Sequence, residues 1–432
     1  MSKAMSSLES LLSTSGEAPM LDSLDFTLPP ASTACVDRRQ HVRAYPTSAS
    51  TLSPTGTRTI RLRLGGDDFV DASSVRLMFT VNELSGVTTP PTRLQPTGGP
   101  WCVWGQAFLR SNGVELDNIS AYGRMHQQYL FNQASQLEQY GEAGVCGFAG
   151  SETTATLNSP SMGYLAAGTS YTVVHKLGLS LFSSGKLLPL RYAPLEVELT
   201  LANAADWLLI GDQGGVYTGS SNYTISDVQL IYDAYILDEQ VQNSFYKALL
   251  SSRVLSIPTM TVYQCVYQIA PNSTSASFSA VRAFSRLSHC WITFRGTGPK
   301  STSFICPGTT GGTGATPALS NGGPSVRLSI GPHNWPDAQP LSTITETFFQ
   351  FQKALPNVPN ITRDNFLTNA YTVVFDVRKV PSDPTSSIST RSGDLLRIDI
   401  QNLVANQAVE CWVTLFAFSC TCIRESGVTL LT

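Results

Sequence analysis

The chain has 432 residues, and only 14% of them are charged, 28 Lys+Arg against 31 Asp+Glu. An ordinary soluble domain carries about 25% charged residues; here Ser, Thr, Asn, Gln and Gly fill the gap while apolar residues stay at 42%. That apolar share excludes charge-driven disorder, seven lysines are too few for a long charged helix, and a net charge of −3 excludes a wholly basic nucleic-acid-binding surface.

No run of about 18 apolar residues occurs, so no transmembrane helix is predicted. The start, Met1-Ser-Lys-Ala-Met-Ser-Ser-Leu, lacks the features of a secretory signal, and none is expected. The length allows two or three domains of about 100–200 residues. The nine cysteines (Cys35, Cys102, Cys146, Cys265, Cys290, Cys306, Cys411, Cys420, Cys422) are scattered and odd in number. They read as buried thiols rather than a disulfide framework.

Residues 1–57 read as an N-terminal arm, rich in Ser and Thr and broken by Pro29, Pro30, Pro46 and Pro54. Met1, Met5, Leu8, Leu11 and Leu12 have helical spacing. Arg38, Arg39, His41 and Arg43 form the arm's basic cluster, read as solvated charges in preference to a nucleic-acid contact.

From Thr59 the period changes to two. Ile60, Leu62 and Leu64 alternate with arginines, and Val75, Leu77, Phe79 and Val81 form the next run. Asn112-Gly113 between two strand-like runs marks a hairpin, because both turn positions tolerate positive φ. Residues 124–134 read as a short helix. Strands follow at residues 170–176, 195–201 and 224–237. Residues 238–250 carry Val241, Phe245, Ala248 and Leu249 at helical spacing behind Asp238 and read as a connecting helix. The second half repeats the order: strands near residues 260–269 and 287–294, a Gly/Thr/Pro loop over 296–324, and a strand at 326–330. A helix at 342–354 and strands at 370–377, 395–400 and 409–422 complete it. The expected fold is all-β: two tandem eight-stranded antiparallel jelly-roll sandwiches, residues 58–237 and 253–432, the latter with a C-terminal tail, joined by a helix over 238–252.

Chemistry is sparse. Ser183-Ser184-Gly185-Lys186 lacks the first glycine and the Ser/Thr of a phosphate loop, and Gly311-Gly312-Thr313-Gly314 precedes no helix. His41, His126, His175, His289 and His333 form no metal-binding pair. Cys420 and Cys422 share one face of a strand but lack a second pair, and a structural zinc site needs four ligands. Asp67-Asp68 and Asp238-Glu239 fall in a turn and at a helix start, where acids serve structure. Four sequons (Asn118, Asn222, Asn272, Asn360) match chance in so Asn/Ser/Thr-rich a chain. Trp291 and Trp412 are expected in the core. Trp335, in a loop, reads as a ligand-stacking residue or an interface anchor. No catalytic, cofactor-binding or metal residue is assigned, and no enzyme is expected.

Four stretches together resemble a known group. They are the hairpin Phe108 to Leu116; Lys186-Leu187-Leu188-Pro189-Leu190-Arg191-Tyr192 running into Leu195 to Leu199; the passage from Asp227-Val228-Gln229-Leu230-Ile231-Tyr232 through Leu250; and the closing strands at 395–400 and 411–422. The chain resembles the double jelly-roll major capsid proteins of eukaryotic DNA viruses, of the polinton-like and virophage-like kind, over about residues 58–425. The resemblance implies a homotrimer with six upright jelly rolls in a pseudo-hexagonal, hexon-like capsomer that tiles an icosahedral virion. It implies loops 85–100, 147–168, 211–221 and 296–324 as towers or subunit contacts, and an arm tied to neighbours beneath the capsomer. Implied partners are copies of the chain and minor or penton capsid proteins, without sequence-specific nucleic-acid binding. The implied location is the virion, after synthesis in the host cytoplasm or nucleus. It also accounts for the charge deficit, since interface cores are depleted in Lys, Glu and Asp. Two other readings stay open: a single-stranded RNA virus coat protein and a two-domain carbohydrate-binding β-sandwich protein.

Overall fold

The computed structural model describes residues 36–48, 50–84, 93–96, 103–132, 165–166, 168–202, 208–211, 217–219, 223–251, 253–296, 306–307, 322–355, 366–367, 370–381, 383, 386–391, 394–403, 408–425 and 427–431. The first half contains β1 (Val36–Ala44), β2 (Thr59–Leu64), β3 (Phe69–Asp71), β4 (Arg76–Glu83), β5 (Arg93–Pro96), β6 (Trp104–Ser111) and β7 (Val114–Ile119). Helix α1 (Tyr122–Asn132) follows, then β8 (Leu165–Ala166), β9 (Ser170–Lys176), β10 (Leu187–Pro189), β11 (Leu195–Leu201), β12 (Leu208–Gly211), β13 (Tyr217–Gly219) and β14 (Tyr223–Leu237). Helix α2 (Glu239–Leu250) leads to β15 (Leu255–Ile269), β16 (Ser275–Ala280), β17 (Leu287–Gly296), β18 (Gly322–Ile330), β19 (His333–Trp335) and β20 (Leu341–Thr343). Helix α3 (Ile344–Ala354), β21 (Thr372–Asp376), β22 (Leu396–Gln401), β23 (Val409–Arg424) and β24 (Gly427–Leu431) complete the chain.

Alternating sequence becomes two-faced strand. In β2, Ile60, Leu62 and Leu64 are fully buried while Arg61 and Arg63 face outward. In β11, Leu195, Val197, Leu199 and Leu201 point inward in the same way. The hairpin at Asn112 and Gly113 has φ of 48° and 83°, the left-handed pair its sequence requires.

Each half packs two antiparallel sheets. The first has the order β1-β14-β4-β9 facing β2-β11-β6-β7; the second has β15-β23-β17-β21 facing β16-β22-β18-β19. Numbering the eight principal strands of each half in chain order, both give one sheet 1-8-3-6 and another 2-7-4-5. That is the strand order of a jelly roll, produced twice. Strands β3 and β10 extend the first sheet beside β14, and β20 pairs with β18 in the second half.

The structure moves the expected end of the arm. Val36–Ala44 is the first strand of the first jelly roll, paired with β14 from Val36↔Leu237 to Ala44↔Leu230. Further along, Leu52 is fully buried and exchanges both backbone hydrogen bonds with Ile225. Arg38, Arg39, His41 and Arg43 point to solvent along an edge, where charge guards against unwanted strand pairing. With one face solvated and the other only partly covered, the strand's composition is that of a linker. The expected C-terminal tail is likewise ordered, as β24 folds back on β23.

Helix α2 is capped where the sequence predicts, the Asp238 side chain accepting a hydrogen bond from the Gln240 backbone N–H. Helix α1 begins two residues earlier than expected, and residues 133–134 lie outside the described residues.

The two sandwiches stand side by side. Ile257, Ile423 and Val428 of the second half belong to the hydrophobic core of the first. Farther along β15, Gln264 accepts a hydrogen bond from the Ala121 backbone N–H at 3.0 Å. Its cross-strand partner Thr414 donates to Gln128 of α1 at 3.3 Å.

Candidate assembly surfaces

The strand registers place the long connections at one end of each sandwich. In the first, Glu83, Trp104, Ser170, Leu201 and Tyr223 are the strand ends that meet there. The connections leaving them join in a separate four-stranded sheet of order β13-β12-β5-β8. Parts of the loops 85–100, 147–168 and 211–221 are thereby built into one layer above the sandwich. In the second half, Gly296, Ser325, Thr372, Gln401 and Val409 meet in the same way. The loop over 296–324, with Gly311 to Gly314, lies mostly outside the described residues.

The opposite end, the base, holds α2. Leu237 ends β14 and Leu255 begins β15, so the helix links the two sandwiches away from their loops. Between them lies a cavity of about 230 Å³ lined mostly by Phe69, Leu187, Pro189, Leu237, Phe245, Leu255, Ile257 and Ile423. Around the base, Leu187, Tyr246, Leu250, Val254 and Leu431 are exposed. Elsewhere the described surface exposes Tyr45, Leu84, Val281, Phe349, Val380 and Leu395. A charge-poor surface that also presents these apolar side chains is one suited to being covered.

The side chains weighed for chemistry are dispersed. Among the described residues, no three His, Cys, Asp or Glu side chains gather as a metal site. Cys420 and Cys422 do share a strand face, their sulfurs 3.8 Å apart. Cys265, Cys290, Cys306 and Cys411 are also free thiols, and burial pushes the thiols of Cys290 and Cys411 far up. Ser183, Ser184 and Gly185 form the turn into β10. Arg39 pairs with Asp233 and, with His41, holds that carboxyl below its usual range.

Two tryptophans differ from expectation. Trp335 lies in β19, paired with Leu328, and packs partly buried against the second core. Trp412 is only half buried, its indole N–H donating to Glu410, because alternate positions of β23 face away from the core. Trp291 is buried as expected. Asn118 lies in β7 and Asn272 in a turn, while Asn222 and Asn360 fall outside the described residues.

One cluster escaped the sequence reading. In the first half, the Tyr122 hydroxyl lies 2.6 Å from His175 Nε2 and accepts from the Gly178 backbone N–H. The His126 ring meets His175 edge-on at 4.6 Å. Burial holds the His126 imidazole down to about 3 and His175 well below its usual value. Nearby, burial raises the Asp117 carboxyl to about 6, although it accepts from the Ser180 and Asn118 backbones. No spacing rule links residues 126 and 175; the packing of α1 against β9 brings them together.

The fold defines a class: tandem jelly rolls packed side by side, with their loops raised at one end and a connector at the other. Neither a protein-family model nor a curated protein sequence matches the chain. Solved structures do. A chain of the Sputnik virophage particle superposes with a TM-score of 0.61 at 9% identity, covering 96% of this chain and 92% of its own. PBCV-1 VP54, fitted into a reconstruction of Sputnik, gives 0.59 at 11% identity over 94% and 99%. The mavirus major capsid protein gives 0.51 at 11% identity over 96% of both chains. The protein has the double jelly-roll fold seen in major capsid proteins of DNA viruses.

Proposed function

We propose that the protein is a major capsid protein with a mechanical rather than an enzymatic role. The supporting observation is the twice-repeated strand order in two sandwiches that stand side by side and take up most of the described residues. Three such chains around a threefold axis place six similar sandwiches in a ring, a closed arrangement that approximates a hexagon. Hexagonal units tile a shell, and the raised sheet of β5, β8, β12 and β13 then faces away from the base. The exposed apolar residues and the charge deficit fit a surface covered by copies of the chain and by minor or penton capsid proteins. The virion is accordingly the proposed location, and sequence-specific nucleic-acid contacts are not part of the reading.

Size-exclusion chromatography with light scattering of the purified chain tests the proposal. A species of about three chains, with hexagonal outlines in negative-stain micrographs, is expected. A stable monomer at micromolar concentration would overturn it.

A further inference from the structure

The cavity at the base sits where the chain enters the fold. Val36, the first residue of β1, pairs with Leu237, and Leu237 lines the cavity. Residues 1–35 therefore join the structure within one strand spacing, about 5 Å, of an open apolar pocket. A dry apolar cavity of about 150 Å³ takes a benzene-sized group; this one measures about 230 Å³, enough for one aromatic side chain and part of another.

The preceding sequence carries matching groups. In Met20-Leu21-Asp22-Ser23-Leu24-Asp25-Phe26-Thr27-Leu28, the residues Leu24, Phe26 and Leu28 alternate with Asp25 and Thr27. An extended chain places those three on one side. Leu28 is eight residues from Val36, a reach of up to about 26–29 Å, so the segment can turn back over the base. Residues 1–35 contain four acids and one lysine, and the polar lining of the cavity includes Lys186. Charge and apolar pattern agree on one occupant.

We infer that residues 20–28 of the same chain fill the cavity between the two sandwiches, with Phe26 as the anchor and Asp22 or Asp25 facing Lys186. In that position the segment would cover Leu187, which is 41% exposed. The inference is independent of the capsid reading, because it is tested within single chains whether or not trimers form.

The test uses the full chain with the photoreactive p-benzoylphenylalanine in place of Phe26. A mixture of nitrogen-15-labelled and unlabelled chains is irradiated and the cross-links are mapped by mass spectrometry. Cross-links to Leu187, Phe245 or Leu255 within single chains are expected. Adding Leu187→Asp, at a rim position already open to solvent, should lower their yield at least fivefold. Cross-links to another surface, cross-links only between differently labelled chains, no cross-link at all, or a yield indifferent to Leu187→Asp would each overturn the inference.

Discussion

The two halves of the molecule solve one packing problem with different chemistry. In both, side chains of the helix after the fifth strand reach the region of the sixth strand of the jelly roll: those of α1 meet β9, and α3 packs beside β21. In the first half the filling is polar, with Tyr122 and His126 of α1 against His175 of β9. In the second it is aromatic, with Phe348 and Phe351 of α3 against Phe366, which in turn meets Tyr371. Topology requires that the space be filled and leaves the filler open. This is why the repeat is visible in the architecture and invisible residue by residue. The polar solution makes the first filler sensitive to protons, while the aromatic one rests on packing.

Truncation tests this equivalence at its greatest expected effect. If β1 is to the first jelly roll what β15 is to the second, deleting residues 1–57 removes a principal strand and the buried Leu52. The first half should then lose cooperative folding. Deleting residues 1–35 should leave both cooperative transitions in place. Calorimetry of the two truncations decides, and a fully folded chain lacking residues 1–57 would break the comparison.

Next in size is Phe351→Ala. Phe351 is fully buried among aromatic rings, and such truncations cost about 3–5 kcal/mol. Urea unfolding should show the loss in the second half alone.

Acid should separate the fillers by a smaller amount. The native pKa values of His126 and His175 lie below the unfolded value of about 6.5. Below that pH the unfolded chain binds protons that the native chain does not. Each histidine then removes about 1.4 kcal/mol of stability per pH unit. Asp117 acts in the opposite sense, because its native pKa of about 6 exceeds its unfolded value. Its protonation restores a similar amount per unit between pH about 6 and 4, about 1.4 kcal/mol. Replacing the polar filler by an aromatic one, His126→Phe, should make the decline in stability shallower by about 1.4 kcal/mol per pH unit below 6.5. Urea midpoints at pH 7, 6 and 5 provide the measurement, and an unchanged slope would show that His126 is not held neutral by burial.

Much of the fold was legible from period and punctuation. The inward sets Ile60, Leu62, Leu64 and Leu195, Val197, Leu199 follow from alternation, the turn from Asn112-Gly113, and the connector from Asp238 and its helical spacing. The edge strand β1 was not legible, because alternation reports burial and an edge strand with a solvated face has little. Nor was Trp412, whose side of β23 depends on which face meets the core. The candidate surfaces were legible only as a deficit of charge. Their location depends on where the long loops gather, and the register of strands distant in sequence sets that.

By itself the sequence determined the all-β class, the two strand-rich halves and the helix between them. These are local properties of side-chain period, turn residues and spacing. Only the tertiary structure decided that residues 36–44 complete the first jelly roll, that Val428 stitches the second half into the first core, and that His126 meets His175. It alone placed an apolar cavity beside the point where the chain enters. Those outcomes rest on which strands and helices pack together across the chain, an arrangement that no local pattern encodes.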